Sequence, residues 1–150
     1  MKKRKLTKAK EYRKLFLQAE RLWKEIAILR YGKECQVGKH YPSIFVAHTN
    51  VIQIDHVITR RDKNLFFHVF NGVPVCSSCN RMKHYQQKGI AHAIEQIVIT
   101  KIGGEEFGKM MELHQTGTPN TNWKKLFWIE KVVSNLQFHK DNQGEMYELL

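Results

Sequence analysis

Two of the chain's three cysteines stand as Cys76-x-x-Cys79, and the third, Cys35, lies far upstream. Three thiols cannot all pair within one monomer, so a disulfide framework does not organise this chain. Metal ligation in a reducing compartment fits the cysteines better. A Cys-x-x-Cys turn brings two thiolates within reach of one tetrahedral ion, and so supplies half of a zinc site. The competing use of such a pair is redox chemistry, but no thioredoxin-like strand–helix–strand pattern surrounds it. The fold must therefore bring further ligands to Cys76 and Cys79 from elsewhere.

The hydrophobic pattern predicts an α+β fold that is mostly helical. "MKKRK" opens as a mobile basic tail. From Leu6 to about Arg30, Tyr12, Leu15, Ala19, Leu22, Ile26 and Leu29 recur at helical spacing, with Lys and Arg left outward and Gly32 as the stop. "SIFVAHTNVIQIDHVI" is rich in β-branched and aromatic residues and "TRRDKN" is a polar loop. "GVPVC" after Asn71-Gly72 reads as a second short strand. A helix follows from Ser77. "IAHAIEQIVITKI" mixes strand and helix signals, but its length and the stop at Gly103-Gly104 favour a helix. "EEFGKMMELHQ" is another. "TGTPNT" is a linker, after which Thr121 or Asn122 can cap a helix near 123–139. Trp123, Leu126, Phe127, Val133 and Leu136 form its apolar face. Three segments result: a basic helix at 1–33, a central unit at 34–88 and a helical extension at 89–150.

Composition bounds the function. The chain has 150 residues, enough for one domain with a real core, and its apolar content argues against disorder. No stretch is long and apolar enough to span a membrane, and the N-terminus lacks the pattern of a secretory signal, which predicts a cytoplasmic protein. The net charge is +11, and residues 1–33 carry most of it, with twelve Lys or Arg against three Glu. Such an excess points to a polyanionic partner, nucleic acid before anionic membrane, whose surface helices want a wider apolar face.

The central unit carries the chemistry. Asp55 and His56 are neighbours on a predicted strand and so face opposite sides. Asn80 and His84 stand four apart on the helix after the cysteines, hence on one face. Asp55, Asn80 and His84 would offer oxygen, oxygen and nitrogen to an ion, a set suited to Mg²⁺ or Mn²⁺. His56 is left as an imidazole fit for general-base work.

"IDHVI", "NGVPVCSSCN" and the following "RMKH" resemble the HNH, or ββα-metal, nucleases, whose motif runs Asp-His, then Asn, then Asn or His directly after a Cys-x-x-Cys. The resemblance spans about 35 to 84. More loosely, the later helices are similar in layout to phage recombination endonucleases of the NinG type. The resemblance implies a ββα-metal core in which Asp55 and Asn80 hold a catalytic divalent ion and His56 activates water. It implies that Asn71 holds the loop around His56, that His84 is a third ligand only in some members, and that the products carry 5′-phosphate and 3′-hydroxyl ends. DNA would be the substrate, branched or recombination-intermediate DNA in a phage context, and the site of action a bacterial cytoplasm.

The chain departs from the zinc-bearing members of that family at one point. Where they carry a second Cys-x-x-Cys, this chain has "ECQVGKHYP", with Val37 in place of the second cysteine. A zinc site of Cys35, His40, Cys76 and Cys79 is the first expectation, since Cys-x4-His is a workable spacing. Thiols packed as small hydrophobes without zinc come next, and His48 as the fourth ligand comes last, since it falls in a strand-like run where it can simply pack. Arg60, Arg61 and Lys63 in the loop, with Lys83 and Lys88 beyond it, are expected phosphate contacts. A homodimer would suit double-strand or junction cleavage. The competing function is a zinc-stabilised nucleic-acid-binding or recombination-accessory protein without catalysis. His68, His92, His114 and His139 have no partner visible in the sequence.

Overall fold

The computed structural model describes residues 7–44 and 46–148, with side chains up to Gln143 in the last helix. The basic tail expected at Met1–Lys5 lies outside the described residues. Helix α1 spans Lys8–Tyr31 and ends where Gly32 adopts φ 85°, its N–H returning to the Ile28 carbonyl at 2.7 Å. Its buried stripe is Ala19, Leu22, Trp23, Ile26 and Ala27. Leu29, expected on that stripe, is 59 % exposed, whereas Arg30 is buried. At about 100° per residue Leu29 sits on the edge of the stripe and Arg30 on its axis. The Arg30 guanidinium donates to the Val69 carbonyl at 2.5 Å and lies 4.7 Å from the Phe70 ring centre, which satisfies the buried charge.

A one-turn helix, α2 (Gln36–His40), follows. It is too short to leave a periodic signal, and the sequence pattern did not reveal it. Strands β1 (Ile52–His56) and β2 (Gly72–Cys76) pair antiparallel, with Ile54 opposite Pro74, Asp55 opposite Val73 and His56 opposite Gly72. All five β2 residues are buried. The loop between the strands folds through successive turns, and β2 runs directly into α3 (Ser77–His84). Gln86 and Lys88 then take positive φ in a tight turn. Helices α4 (Ile90–Ile102) and α5 (Gly104–Thr116) are broken apart at Gly103, whose φ is 89°.

Helix α6 (Leu126–Glu148) starts later and runs further than the expected 123–139. Residues 121–125 form turns, and Phe127, expected to face inward, is 58 % exposed. Helix α6 runs beside α1 in the same direction. The Tyr12 hydroxyl donates to the Trp123 carbonyl, and Lys140 pairs with Glu25 at 2.6 Å further along.

The hairpin separates two apolar cores. One gathers Val37, Leu65, Val73, Val75, Ile94, Val98 and Met110 from α2, the loop, β2, α4 and α5. The other packs Leu22, Trp23 and Ile26 of α1 against Phe67 and against Ile129 and Leu136 of α6. The architecture is thus mixed α+β and mostly helical, with packing that crosses the segment boundaries at 33 and 88. No described helix is long and apolar enough to cross a membrane.

Candidate metal centre and active site

At the start of α3, β2 delivers Cys76 as the N-cap, and one turn later Cys79 sits beside it, both buried. Cys35, the N-cap of α2, brings its Sγ to 3.7 Å from that of Cys79. The fourth group is His48, from the extended segment before β1. Its Nδ1 lies 3.4 Å from Cys76 Sγ and 3.5 Å from Cys79 Sγ. All four ligand atoms fall within 4.8 Å of one another. With zinc–sulfur and zinc–nitrogen bonds of about 2.3 and 2.05 Å, a tetrahedral site needs edges of about 3.8 Å between sulfurs and about 3.6 Å from sulfur to nitrogen. The donor set and these three edges therefore fit a structural zinc ion.

His40 does not join this cluster. It is the last residue of α2 while Cys35 caps the first turn, so the helix carries it about 7.5 Å further along its axis. It lines instead a cleft of about 410 Å³ with Tyr31, Tyr41 and Thr100. His48 reaches the sulfurs because its ring lies against Gly38, where a Cβ would stand only 3.2 Å from it.

The electrostatics of the thiols differ. Burial works to raise the Cys76 pKa, but hydrogen bonds from the Cys79 and Thr49 N–H groups and from His48 outweigh it and bring the thiol down to about 6. Burial pushes Cys79 up, and the neighbouring Cys76 and Cys35 sulfurs push it further. A bound dication removes the conflict by stabilising all the thiolates together.

The second site lies on β1. His56 turns toward α1, where its ring stacks on Trp23 with centres 4.4 Å apart and planes 21° apart. The Phe66 ring also lies against it, with centres 4.8 Å apart and planes 51° apart. His56 Nε2 lies 3.0 Å from the Phe66 carbonyl oxygen. A carbonyl can only accept, so Nε2 carries the proton and Nδ1 keeps its lone pair. Burial lowers the His56 pKa, opposed in part by the Phe66 carbonyl and the Asp55 charge. The imidazole is thereby held neutral in a single tautomer.

Asp55 turns the other way, toward α3. Lys83 donates to Asp55 Oδ2 and to the His56 carbonyl. Asn80, one turn earlier on α3, donates to Gln53 Oε1 at 2.7 Å. Gln53 and Asp55 are two apart on β1, so Asn80 and Lys83 reach the same face of the strand. His84 is exposed against the Tyr85 ring at 5.4 Å, and Lys83 occupies the place beside Asp55 that the spacing offered to His84.

Asn71 is fully buried at the end of the loop. Its Oδ1 accepts from the Ile58 N–H at 2.7 Å, and its Nδ2 donates to the Ile58 and Leu65 carbonyls at 3.1 and 3.0 Å. Its own carbonyl accepts from the Val57 N–H. One amide thus closes the loop that carries Phe66 to His56. Arg60 and Arg61 are exposed on that loop. Lys63 lies over the Phe66 and Trp123 rings, at 4.7 and 4.8 Å from their centres. Lys88 is exposed in the turn after α3.

Sequence reasoning missed Trp23, Phe66 and Gln53. Trp23 stands four residues after Ala19 on the same apolar stripe, which was the available signal for it. Compared with protein-family models, curated proteins and solved structures, the chain matches none of them.

Proposed function

We propose that this chain is a divalent-metal-dependent endonuclease that hydrolyses DNA phosphodiester bonds, with an HNH-type hairpin and helix stapled by zinc. One observation carries the reading. His56 is fixed as a neutral base, Nε2 spent on the Phe66 carbonyl and Nδ1 free, directly beside an acidic residue whose strand face meets Asn80. A purely structural zinc unit has no use for an imidazole held in that way.

The residues around Asp55 also suit a dication. Its carboxylate and the His56 carbonyl already share a cation, the Lys83 ammonium. Two oxygens that hold an ammonium suit Mg²⁺ or Mn²⁺, with Asn80 available from the same face. Such an ion, held by Asp55 and Asn80, would offset the charge that builds on the phosphoryl and leaving oxygens. His56 Nδ1 takes a proton from the attacking water, a contribution of about 10²–10⁴ in rate. Trp23 and Phe66 hold the ring at a fixed angle, and Asn71 keeps Phe66 in place. Lys83, which pairs with Asp55 here, would be free to meet the phosphate if an ion took its place.

The second reading is a zinc-stabilised nucleic-acid-binding protein without catalysis. The Asp55–Lys83 ion pair favours it, because the carboxylate is already neutralised. The deciding experiment incubates wild type and His56→Ala with linear duplex, single-stranded, forked and four-way-junction DNA, adding Mg²⁺, Mn²⁺ or EDTA. We expect metal-dependent cutting by the wild type, strongest on branched DNA, and a loss of at least about 10² in the variant. Undiminished cutting by His56→Ala sinks the mechanism. No cutting by a wild-type protein that still binds the DNA favours the second reading.

A further inference from the structure

A second cleft, of about 310 Å³, opens between the β1–β2 loop and α6. It shares a wall with the His56 site. Phe66 touches His56 on one side and Phe67 on the other, with ring centres 4.8 Å apart in each case, and Phe67 lines the cleft. Lys63, lying over Phe66, is also part of its lining.

The lining has a mixed chemistry. His68 Nδ1 accepts from the Phe70 N–H at 3.3 Å, so its proton sits on Nε2 as a donor. Asn64 spends its Nδ2 on the Thr118 carbonyl at 2.8 Å, which leaves Oδ1 as an acceptor. Asn135, exposed on α6, adds an amide that offers both. Trp128 supplies a flat, partly exposed ring, and none of the lining residues is acidic.

This pattern separates the ligand classes. An apolar ligand would strand the amides and His68 without partners, at a cost that excludes it. A bare phosphate wants several cations converging on it, and Lys63 is the one lysine or arginine here, with His68 and His139 the other basic side chains. A nucleobase has a flat face for Trp128 and an edge that carries donors and acceptors together. A base within a duplex hides that edge in pairing, so the occupant has to be unpaired.

We propose that this cleft takes one unpaired nucleobase of the strand that lies at His56, with Lys63 meeting the adjoining phosphate. The proposal rests on the nuclease reading for its substrate and sharpens it. The preferred DNA has an unpaired nucleotide next to the scissile bond, as at a bulge, fork or junction.

The test is a binding experiment on the full zinc-loaded chain without added Mg²⁺ or Mn²⁺, so that cutting does not interfere. Fluorescence anisotropy compares a fully paired duplex, the same duplex with a one-nucleotide bulge, and that bulge made abasic. Wild type is expected to bind the bulged duplex about tenfold more tightly than either control, the scale of one stacked base. Asn135→Trp fills the cleft from an exposed helix position. It should lose that preference while keeping its melting temperature, zinc content and affinity for paired duplex. Equal binding of bulge and abasic bulge by the wild type overturns the proposal, as does a preference that survives in Asn135→Trp. Competition by a free mononucleotide as effective as the bulged duplex overturns the strand-borne form of it. Base-dependent binding by a protein that cuts nothing would keep the cleft and sink the nuclease reading. Cutting without base dependence would do the reverse.

Discussion

The two ends of the hairpin are held by different physics. At the Cys76 end, Cys76 and Cys79 are buried in the larger apolar core, while Cys35 and the exposed His48 reach them from two other segments and converge on the same point. At the His56 end, no dication is needed for the geometry to stand. Trp23 and Phe66 clamp the ring, and Asn71 closes the loop with three side-chain hydrogen bonds. The first arrangement depends on a ligand, so removing that ligand is catastrophic. The second is spread over packing and hydrogen bonds, so single changes there are graded.

The largest expected effect is therefore at the cysteines. Cys79→Ala should release zinc and melt α3 together with the core against it, as seen by metal analysis and circular dichroism. Removing one ligand from a structural zinc site forfeits much of a binding energy of about 10–16 kcal/mol, which is comparable to the whole stability of a typical domain at about 5–15 kcal/mol. His56→Ala, by contrast, should keep its zinc and its cooperative transition. If both variants unfold alike, the division into a ligand-held end and a packing-held end is wrong.

The choice of fourth ligand sharpens the same contrast. His48→Ala should bind zinc at least about 10-fold more weakly in a competition titration, since it removes a direct ligand. His40→Ala should match wild type. Equal losses would mean that the α2 segment rearranges on metal binding to bring His40 in.

Asn71→Ala comes next. It leaves the Ile58 N–H and two loop carbonyls buried without partners, at about 1–3 kcal/mol each where the group stays dry. A drop of about 3 kcal/mol in urea unfolding is expected, with zinc retained. A drop below about 1 kcal/mol would mean that the loop does not depend on this amide.

These contrasts also mark what the sequence could and could not carry. The two strands, the long loop and the helix starting at the cysteine pair were legible because each has its own local signal: β-branched runs, Asn71-Gly72, and the end of the strand at Cys76. The convergence of Cys35 on Cys76 and Cys79 was expected from the resemblance, whose zinc-bearing members carry cysteines in that upstream stretch. The fourth ligand did not, because spacing along the chain favoured His40 and only the reversal of the chain after α2 brings His48 back. Lys83 in the place offered to His84 is a matter of helix phase, one residue finer than an i, i+4 argument resolves. His114, left without a partner by sequence reasoning, meets Asp62 at 2.7 Å across the loop, a contact between distant segments that no local pattern encodes. The cleft beside Lys63 is of the same kind, assembled from the loop and α6.

The smallest expected effects fall on two glycines, one at each end of the hairpin, and both serve the same purpose. Gly72 faces the Trp23 ring, where an added Cβ would stand 2.8 Å from one ring carbon and 3.0 Å from the Ile54 side chain. Neither neighbour is the loose end of a flexible chain. Gly72→Ala should therefore cost about 1–3 kcal/mol by overpacking and tilt Trp23 off His56. On the proposed nuclease reading, cleavage should fall further than stability alone explains, because the ring that would orient His56 has moved. Gly38 faces the His48 ring, with the added Cβ at 3.2 Å. That gap closes with a shift of a few tenths of an ångström, and a bound metal resists such a shift more than free imidazole does. Gly38→Ala should weaken zinc only a few-fold and so lower the stability of the zinc-loaded protein by no more than about 1 kcal/mol. A Gly38→Ala protein that binds zinc as tightly as wild type would mean that the His48 ring has slack which the packing at Gly72 lacks.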